Sequence, residues 1–199
     1  SILKVVKKKD ILLHFPYHTF NHVVDFLCEA AIDPKVTDIS ISLYRTADHS
    51  RVINALVNAA QNGKKVTVFV ELMARFDEER NVRTIDILHQ AGVCIIHGLR
   101  DLKVHSKLLL VERTEGRKKT GYVYIGTGNF NEDTARLYSD VGLLSASQRL
   151  AEDARSIFNF LGASHKPMVS KDLVVAPHNM RSVFSRHIET EIRNARAGK

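Results

Sequence analysis

The sequence predicts an α/β fold, a mixed sheet with helices on both faces, and three observations carry that prediction. Short runs rich in β-branched residues, several with two-residue alternation, follow one another between stretches whose apolar residues recur every three to four positions. The first three gaps between strands are long enough for helical crossovers, which parallel strands need. The later gaps are too short for a crossover, so the later strands must turn back antiparallel.

Each element follows from its own pattern. Residues 10–15 read as a short strand. Residues 19–32 form a helix with Phe20, Val23, Val24, Leu27 and Ala31 as its apolar stripe. A strand over 36–44 follows Pro34. Residues 50–62 form a helix with Val52, Ile53, Leu56, Val57 and Ala60 on one face, closed by Gly63. Residues 65–71 are a β-branched strand, 78–91 a helix ending at Gly92, and 93–97 a strand. Only residues 98–103 lead to the next strand, 104–112, which therefore runs antiparallel to the one before. A polar hairpin over 113–120 turns into a strand over 121–125. A loop over 126–137 leads to another antiparallel strand at 138–144. Residues 150–161 form a helix with Leu150, Ala154, Ile157, Phe158 and Leu161 inward. Ser164-His165-Lys166-Pro167 reads as a boundary, dividing a domain of residues 1–166 from residues 167–199. Beyond it, 173–175 form a short strand and 179–195 a basic helix.

This order has a consequence for chemistry. The parallel strands end at Phe15, Tyr44 and Glu71, and the strand beginning at Val104 starts on the same edge. Its partner ends there, and the strand beginning at Tyr138 starts there. One edge thus collects Tyr17, Arg45, Arg75, His105, Lys107, Asn129 and Tyr138. The carboxyl ends of parallel strands are where open α/β sheets bind ligands.

Composition narrows the class of ligand. The formal charge is +7, with residues 1–10 at +3, 100–119 at +4 and 178–199 at +3, leaving −3 elsewhere. One of these basic segments surrounds His105, a field that favours a polyanion. No run of 18 apolar residues is present, and the N-terminal residues lack the pattern of a signal peptide. With only Cys28 and Cys94, neither a disulfide framework nor a structural zinc site is expected, and both read as reduced core thiols of a cytoplasmic protein, with or without a peripheral hold on the membrane.

His105-Ser106-Lys107 opens a strand whose following residues are core. Residues two apart in a strand share a face, so the imidazole and the ammonium point together. A neutral imidazole can attack phosphorus, and a neighbouring Lys offsets charge on the phosphoryl oxygens. Gly126-Thr127-Gly128-Asn129 follows the partner strand, and its glycines permit a tight turn that aims Asn129 at the same edge. Arg45 and Arg75, at strand ends, suit phosphate.

H-x-K, a strand and then G-x-G-N resembles the half-motif of the phospholipase D superfamily. Two features depart from it: Glu112 stands where that motif has Asp, and residues 113–120 lengthen the spacing. Further motifs resemble the long-chain polyphosphate kinases within the superfamily. They are Asp10-Ile11-Leu12-Leu13-His14-Phe15-Pro16-Tyr17, Leu43-Tyr44-Arg45-Thr46, Glu71 to Glu79, Lys103 to Lys107, Gly126 to Asn131, and Thr134 to Asp140. They run in the right order over nearly the whole chain.

The resemblance implies a phospholipase D-like fold and reversible transfer of the terminal phosphate of ATP to inorganic polyphosphate, with Mg2+. It implies His105 as the autophosphorylated histidine, with Lys107 and Asn129 beside it. Tyr138 would contact the nucleotide, and Arg45 and Arg75 would lie at the magnesium–phosphate site. A guanidinium has no lone pair for a cation, so that magnesium would be held by phosphate oxygens and water, with no direct protein ligand assigned. The family is longer than this chain, which implies that residues 167–199 lead into a second catalytic domain and that other domains are missing. It also implies a homo-oligomeric parent, no nucleic-acid partner, and little turnover by these residues alone. Two other readings stand beside it: a homodimeric phosphodiesterase or nuclease, and a non-catalytic polyanion-binding module.

Overall fold

The computed structural model describes residues 1–47, 49–71, 78–98, 102–163 and 167–199. Among the described residues, seven strands form one mixed sheet: β1 (Ile11–Phe15), β2 (Val36–Leu43), β3 (Lys65–Val70), β4 (Cys94–His97), β5 (Lys107–Glu115), β6 (Lys118–Gly126) and β7 (Asp140–Ser145). Their spatial order is β1-β7-β6-β5-β2-β3-β4. Strands β2, β3 and β4 pair in parallel. The others pair antiparallel, with β5 joining the two halves through β2.

The helices are α1 (Ile2–Val6), α2 (Asn21–Ile32), α3 (Arg51–Gln61), α4 (Glu78–Gln90), α5 (Gln148–Gly162) and α6 (Met180–Arg196). They cover both faces, as the α/β reading expects. Val23, Val24 and Leu27 of α2 and Val52 and Leu56 of α3 bury against Ile39, Val68, Leu109 and Val111 of the sheet. On the opposite face Ala151, Ala154, Ile157 and Phe158 of α5 bury against Phe69, Leu108, Leu110 and Val123. Consecutive residues of β5 thus feed opposite cores, which is why 108–111 read as an unbroken apolar run.

Several expectations need correction. Strand β1 shares the direction of β2 but is not its neighbour, because β5, β6 and β7 lie between them. Strand β5 opposes β4 in direction yet pairs with β2, since the chain crosses back over β3. The polar stretch 113–120 forms the expected hairpin, the ends of β5 and β6 joined by a turn at 116–117. Arg113 pairs with Thr120 and Glu115 with Lys118 across the ladder, and the turn between them has Gly116 at φ +65°. Its polarity reflects ion pairing at the solvent end of the sheet: the Arg113 guanidinium bridges Asp33 at 2.8 Å and Glu115 at 2.7 Å. The short helix α1 carries no pattern long enough to be seen in sequence.

Residues 173–175 form no strand. Their segment is bent around Asp153, a buried carboxylate on α5 that accepts from the amides of Lys171, Asp172 and Leu173 at 2.7–3.1 Å and from the Ser170 hydroxyl at 3.0 Å. Cys28 and Cys94 are free but exposed, not core thiols. Cys28 follows the buried Leu27 and turns off the buried stripe of α2, and Cys94 lies on the edge strand β4. Helix α6 has no buried residue. No helix among the described residues is long and apolar enough to cross a membrane.

Candidate active site

The directions of the strands bring the carboxyl ends of β1, β2, β3 and β6 to the edge where β5 and β7 begin. Strand β5 starts at Lys107, so His105 precedes the strand instead of opening it. The reason lies in β2. Its pairing with β5 runs out at Ile41 and Leu109, and the side chain of the next residue, Ser42, takes over. Ser42 Oγ accepts from the Leu108 amide at 3.0 Å and donates to the Ser106 carbonyl at 2.8 Å. Two residues before Ser106, the Val104 amide donates to the buried carboxylate of Glu71, at the end of β3, at 3.0 Å. Side chains from two strand ends therefore hold 104–108 where the ladder does not.

His105 is exposed, whereas Lys107 is only 6% exposed. The Lys107 ammonium reaches back to the His105 carbonyl at 2.6 Å and to His105 Nδ1 at 3.2 Å. The two do point together, through this fold-back. Tyr44, at the end of β2, sets its ring edge-on to the imidazole, with centroids 4.7 Å apart.

Charge in the site is strongly positive. Partial burial and the cations Lys107, Lys103 and Arg45 hold the imidazole of His105 below its ordinary pKa, with Glu71 opposing them. Burial pulls the Lys107 ammonium down to about 8; Asp140 opposes that fall and Arg45 adds to it. At neutral pH the site thus holds a neutral imidazole among cations, the protonation state needed by a nucleophile toward phosphate.

Asn129 is half-buried, and its Oδ1 is a buried acceptor with no hydrogen-bond partner among the described residues. The glycines before it serve a purpose other than a turn. Neither has a positive φ. A Cβ on Gly126 would lie 2.7 Å from the Tyr124 hydroxyl, and one on Gly128 would meet the Asp140 carboxylate. Both are close-approach positions. Asp140 is fixed by the Thr127 hydroxyl, which donates to it at 2.7 Å. The loop beyond Asn129 is anchored by Glu132, which accepts from the Arg51 and Val52 amides at the start of α3 at 2.7 and 3.1 Å.

Arg45 is half-buried beside Tyr44. Tyr138 is 62% exposed, two residues before Asp140 on the same edge. Arg75 lies outside the described residues. Glu112, in the acidic position of the half-motif, is turned to α5, where it pairs with Arg155 at 2.9 Å. Sequence reasoning did not assign Ser42, Tyr44, Glu71, Lys103 or Asp140 to the site. The signal for Tyr44, Glu71 and Asp140 was their place at strand ends on the loaded edge.

A cavity of about 380 Å3 opens beside His105 on the α5 side, lined by apolar residues such as Val104, Ile125, Phe160 and Leu161 together with Lys103, His105 and Lys107.

A family model described as polyphosphate kinase C-terminal domain 1 matches residues 1–167. The chain belongs to the polyphosphate kinase family. It is 47% identical to the polyphosphate kinase of Vibrio parahaemolyticus over 98% of this chain, and 46% identical to that of Escherichia coli over 97%. It spans 28% of the length of each. The crystal structure of polyphosphate kinase from Porphyromonas gingivalis matches all of this chain with a TM-score of 0.90 at 42% identity, over 33% of that chain. The phospholipase D family member Nuc from Salmonella typhimurium matches 82% of this chain, with a TM-score of 0.61 at 15% identity, over 99% of that chain. The last is a likeness of fold, and the sheet with helices on both faces is phospholipase D-like, as the sequence predicts.

Proposed function

We propose that these residues carry the phosphohistidine half of a polyphosphate kinase site. The terminal phosphoryl group of ATP passes to His105: an imidazole nitrogen–phosphorus bond forms as the bond to the bridging oxygen of ADP breaks. A terminal oxygen of inorganic polyphosphate then takes the phosphoryl group and frees the imidazole, and both steps reverse. The observation that carries this reading is the placement of His105 at the strand-end edge, its imidazole edge-on to Tyr44 with the Lys107 ammonium 3.2 Å from Nδ1, where burial and neighbouring cations favour the neutral ring.

While Lys107 donates to His105 Nδ1, the ring proton resides on Nε2. Phosphate oxygens that draw the ammonium onto themselves release Nδ1 and let the ring present a lone pair. Lys107, Lys103 and Arg45 then face the oxygens whose charge grows during transfer. Asn129 Oδ1 is open to a donor, and the exposed ring of Tyr138 serves the nucleotide. Arg75 joins Arg45 on the phosphates.

Among the described residues no group of three or more His, Cys, Asp or Glu could hold a metal ion. A site rich in Arg and Lys fits Mg2+ that arrives on the phosphates, coordinated by their oxygens and water. When bound, it neutralises charge on the β- and γ-phosphates.

The reading extends to the larger protein. Residues 1–166 act as one catalytic domain, 167–199 lead into another, and the relatives' remaining length supplies the rest of the site. The full-length enzyme is cytoplasmic, free or peripheral at the membrane, and homo-oligomeric. Its partners are ATP, ADP and polyphosphate.

Labelling with γ-labelled ATP and magnesium tests the reading in the full-length enzyme and in residues 1–199. Acid-labile, alkali-stable label that disappears in His105→Ala is expected in the former. Cleavage of a phosphodiester without such label would replace the kinase by a homodimeric phosphodiesterase. Polyanion binding that survives His105→Ala, without label or cleavage, would leave a binding module. Steady polyphosphate synthesis by residues 1–199 alone would overturn the need for further domains.

A further inference from the structure

The loop between β6 and β7 carries Asn129 and Tyr138, both assigned above to the site, and a third residue whose bonding the reaction leaves unexplained. Glu132 is half-buried, and its carboxylate lies at the start of α3, the helix that follows β2. It accepts from the Arg51 amide at 2.7 Å, the Val52 amide at 3.1 Å and the buried Ser50 hydroxyl at 3.1 and 3.2 Å. The start of a helix behind a parallel strand is a ready site for a substrate phosphate. Here a carboxylate of the chain itself occupies those amides.

The loop around Glu132 is braced from end to end. The Asn131 amide donates to the Asn129 carbonyl at 2.8 Å. Asn131 is buried, and its Oδ1 accepts from the Asp133 and Thr134 amides at 3.0 Å each. The Thr134 carbonyl accepts in turn from the Tyr138 amide at 2.9 Å. Phe130 is buried against Tyr124, with ring centroids 5.3 Å apart. Residues 129–138 therefore move as one unit, and Glu132 joins that unit to a helix 80 residues away in sequence.

We propose that Glu132 is a positioning residue, which clasps the loop after β6 to the start of α3 and so fixes where Asn129 stands on the edge that carries His105. The proposal rests on the phosphohistidine reading. It assigns reach, rather than charge, as the working property, because the groups clasped are two amides and a hydroxyl, all neutral. Both amides bond to Oε1, whose place the carbonyl oxygen of Gln can take. Asp keeps the charge but is shorter by one carbon–carbon bond, about 1.5 Å, which breaks the clasp unless the loop moves.

The test uses the full-length enzyme, with Glu132→Gln and Glu132→Asp compared by rapid-quench labelling from γ-labelled ATP at saturating concentration. Glu132→Asp is expected to lower the rate constant for labelling by about 10- to 100-fold, the size of an ångström-scale misplacement at a reacting centre. Glu132→Gln should stay within about threefold of wild type, since a clasp that keeps its reach keeps the alignment. Loss of folded enzyme lowers the amount of label but not its rate constant, so stability alone does not give this pattern. In an Asn129→Ala background the Glu132→Asp step should add less than about threefold, because residues that act through one another do not combine independently.

Hydrogen exchange of the Val52 amide reads the clasp without any label, since a first-turn amide has no partner within its helix. It should quicken by about 10-fold in Glu132→Asp, the effect of one lost hydrogen bond, and stay protected in Glu132→Gln. A wild-type rate constant or unchanged Val52 exchange in Glu132→Asp would overturn the clasp, and a Glu132→Gln enzyme as slow as Glu132→Asp would overturn reach as its working property. A full further loss in the Asn129→Ala background would overturn the route through Asn129. Absence of label in the wild-type enzyme, with Val52 exchange changed as expected, would instead overturn the phosphohistidine reading beneath it.

Discussion

Replacing Ser42 by Ala removes one buried hydroxyl and should loosen the segment that carries His105. The residue is 1% exposed, and its oxygen satisfies the Leu108 amide at 3.0 Å and the Ser106 carbonyl at 2.8 Å. Ala leaves the buried Leu108 amide without a partner, a cost of about 1–3 kcal/mol. The Ser106 carbonyl belongs to an exposed residue, so water can replace that bond at little net cost. Taking about 2 kcal/mol for the pair, local opening at 106–108 becomes about 30-fold more frequent. Hydrogen exchange of the Leu108 amide in the full-length protein reads this directly, because a local opening equilibrium sets its rate. Ser40→Ala, two residues earlier on the same strand, is the control and should leave Leu108 protected. Labelling of His105 should slow alongside the faster exchange. Unchanged Leu108 protection in Ser42→Ala would refute the argument that a side chain replaces the ladder here.

Further outcomes follow from the charges and close contacts. Labelling of His105 should fall on the alkaline side as Lys107 loses its proton near pH 8, because only the ammonium offsets phosphoryl charge. On the acid side it should hold to below the ordinary imidazole value, since burial and neighbouring cations keep His105 neutral there. A pH–rate profile of single-turnover labelling checks both limbs. Gly128→Ala should cut labelling strongly, because its Cβ would drive the Asp140 carboxylate from the Thr127 hydroxyl, whereas Gly63→Ala, with open space but a φ of +77°, should cost only stability. Asp153→Ala should expose 167–175 to protease. Burial raises the Asp153 pKa, but the Leu173, Lys171 and Asp172 amides and the Ser170 hydroxyl outweigh it, and the net shift is downward. The clamp therefore contributes fully above the ordinary carboxylate pKa and is lost only as pH falls through the depressed one.

The sequence alone determined the kind of fold and the edge that carries the chemistry. Periodicity at β2, β3, α2 and α3 is strong because each buries one face or both, and gap length decides strand direction without knowledge of neighbours. That was enough to place Arg45, His105, Lys107, Asn129 and Tyr138 on one side, and ordered motifs were enough to point to the family. Strand order was decided only in three dimensions: β5 joins β2 across the chain, and local pattern contains no term for a partner 70 residues away. The same holds for Glu112, whose carboxylate turns to Arg155, and for the exposed Cys28 and Cys94. Gly126 and Gly128 looked like turn residues, yet their neighbours Tyr124 and Asp140 demand the missing side chains. The working geometry of His105 was the least legible part. It depends on Ser42, Tyr44 and Glu71 converging from two strand ends, and such convergence exists only once the sheet has formed.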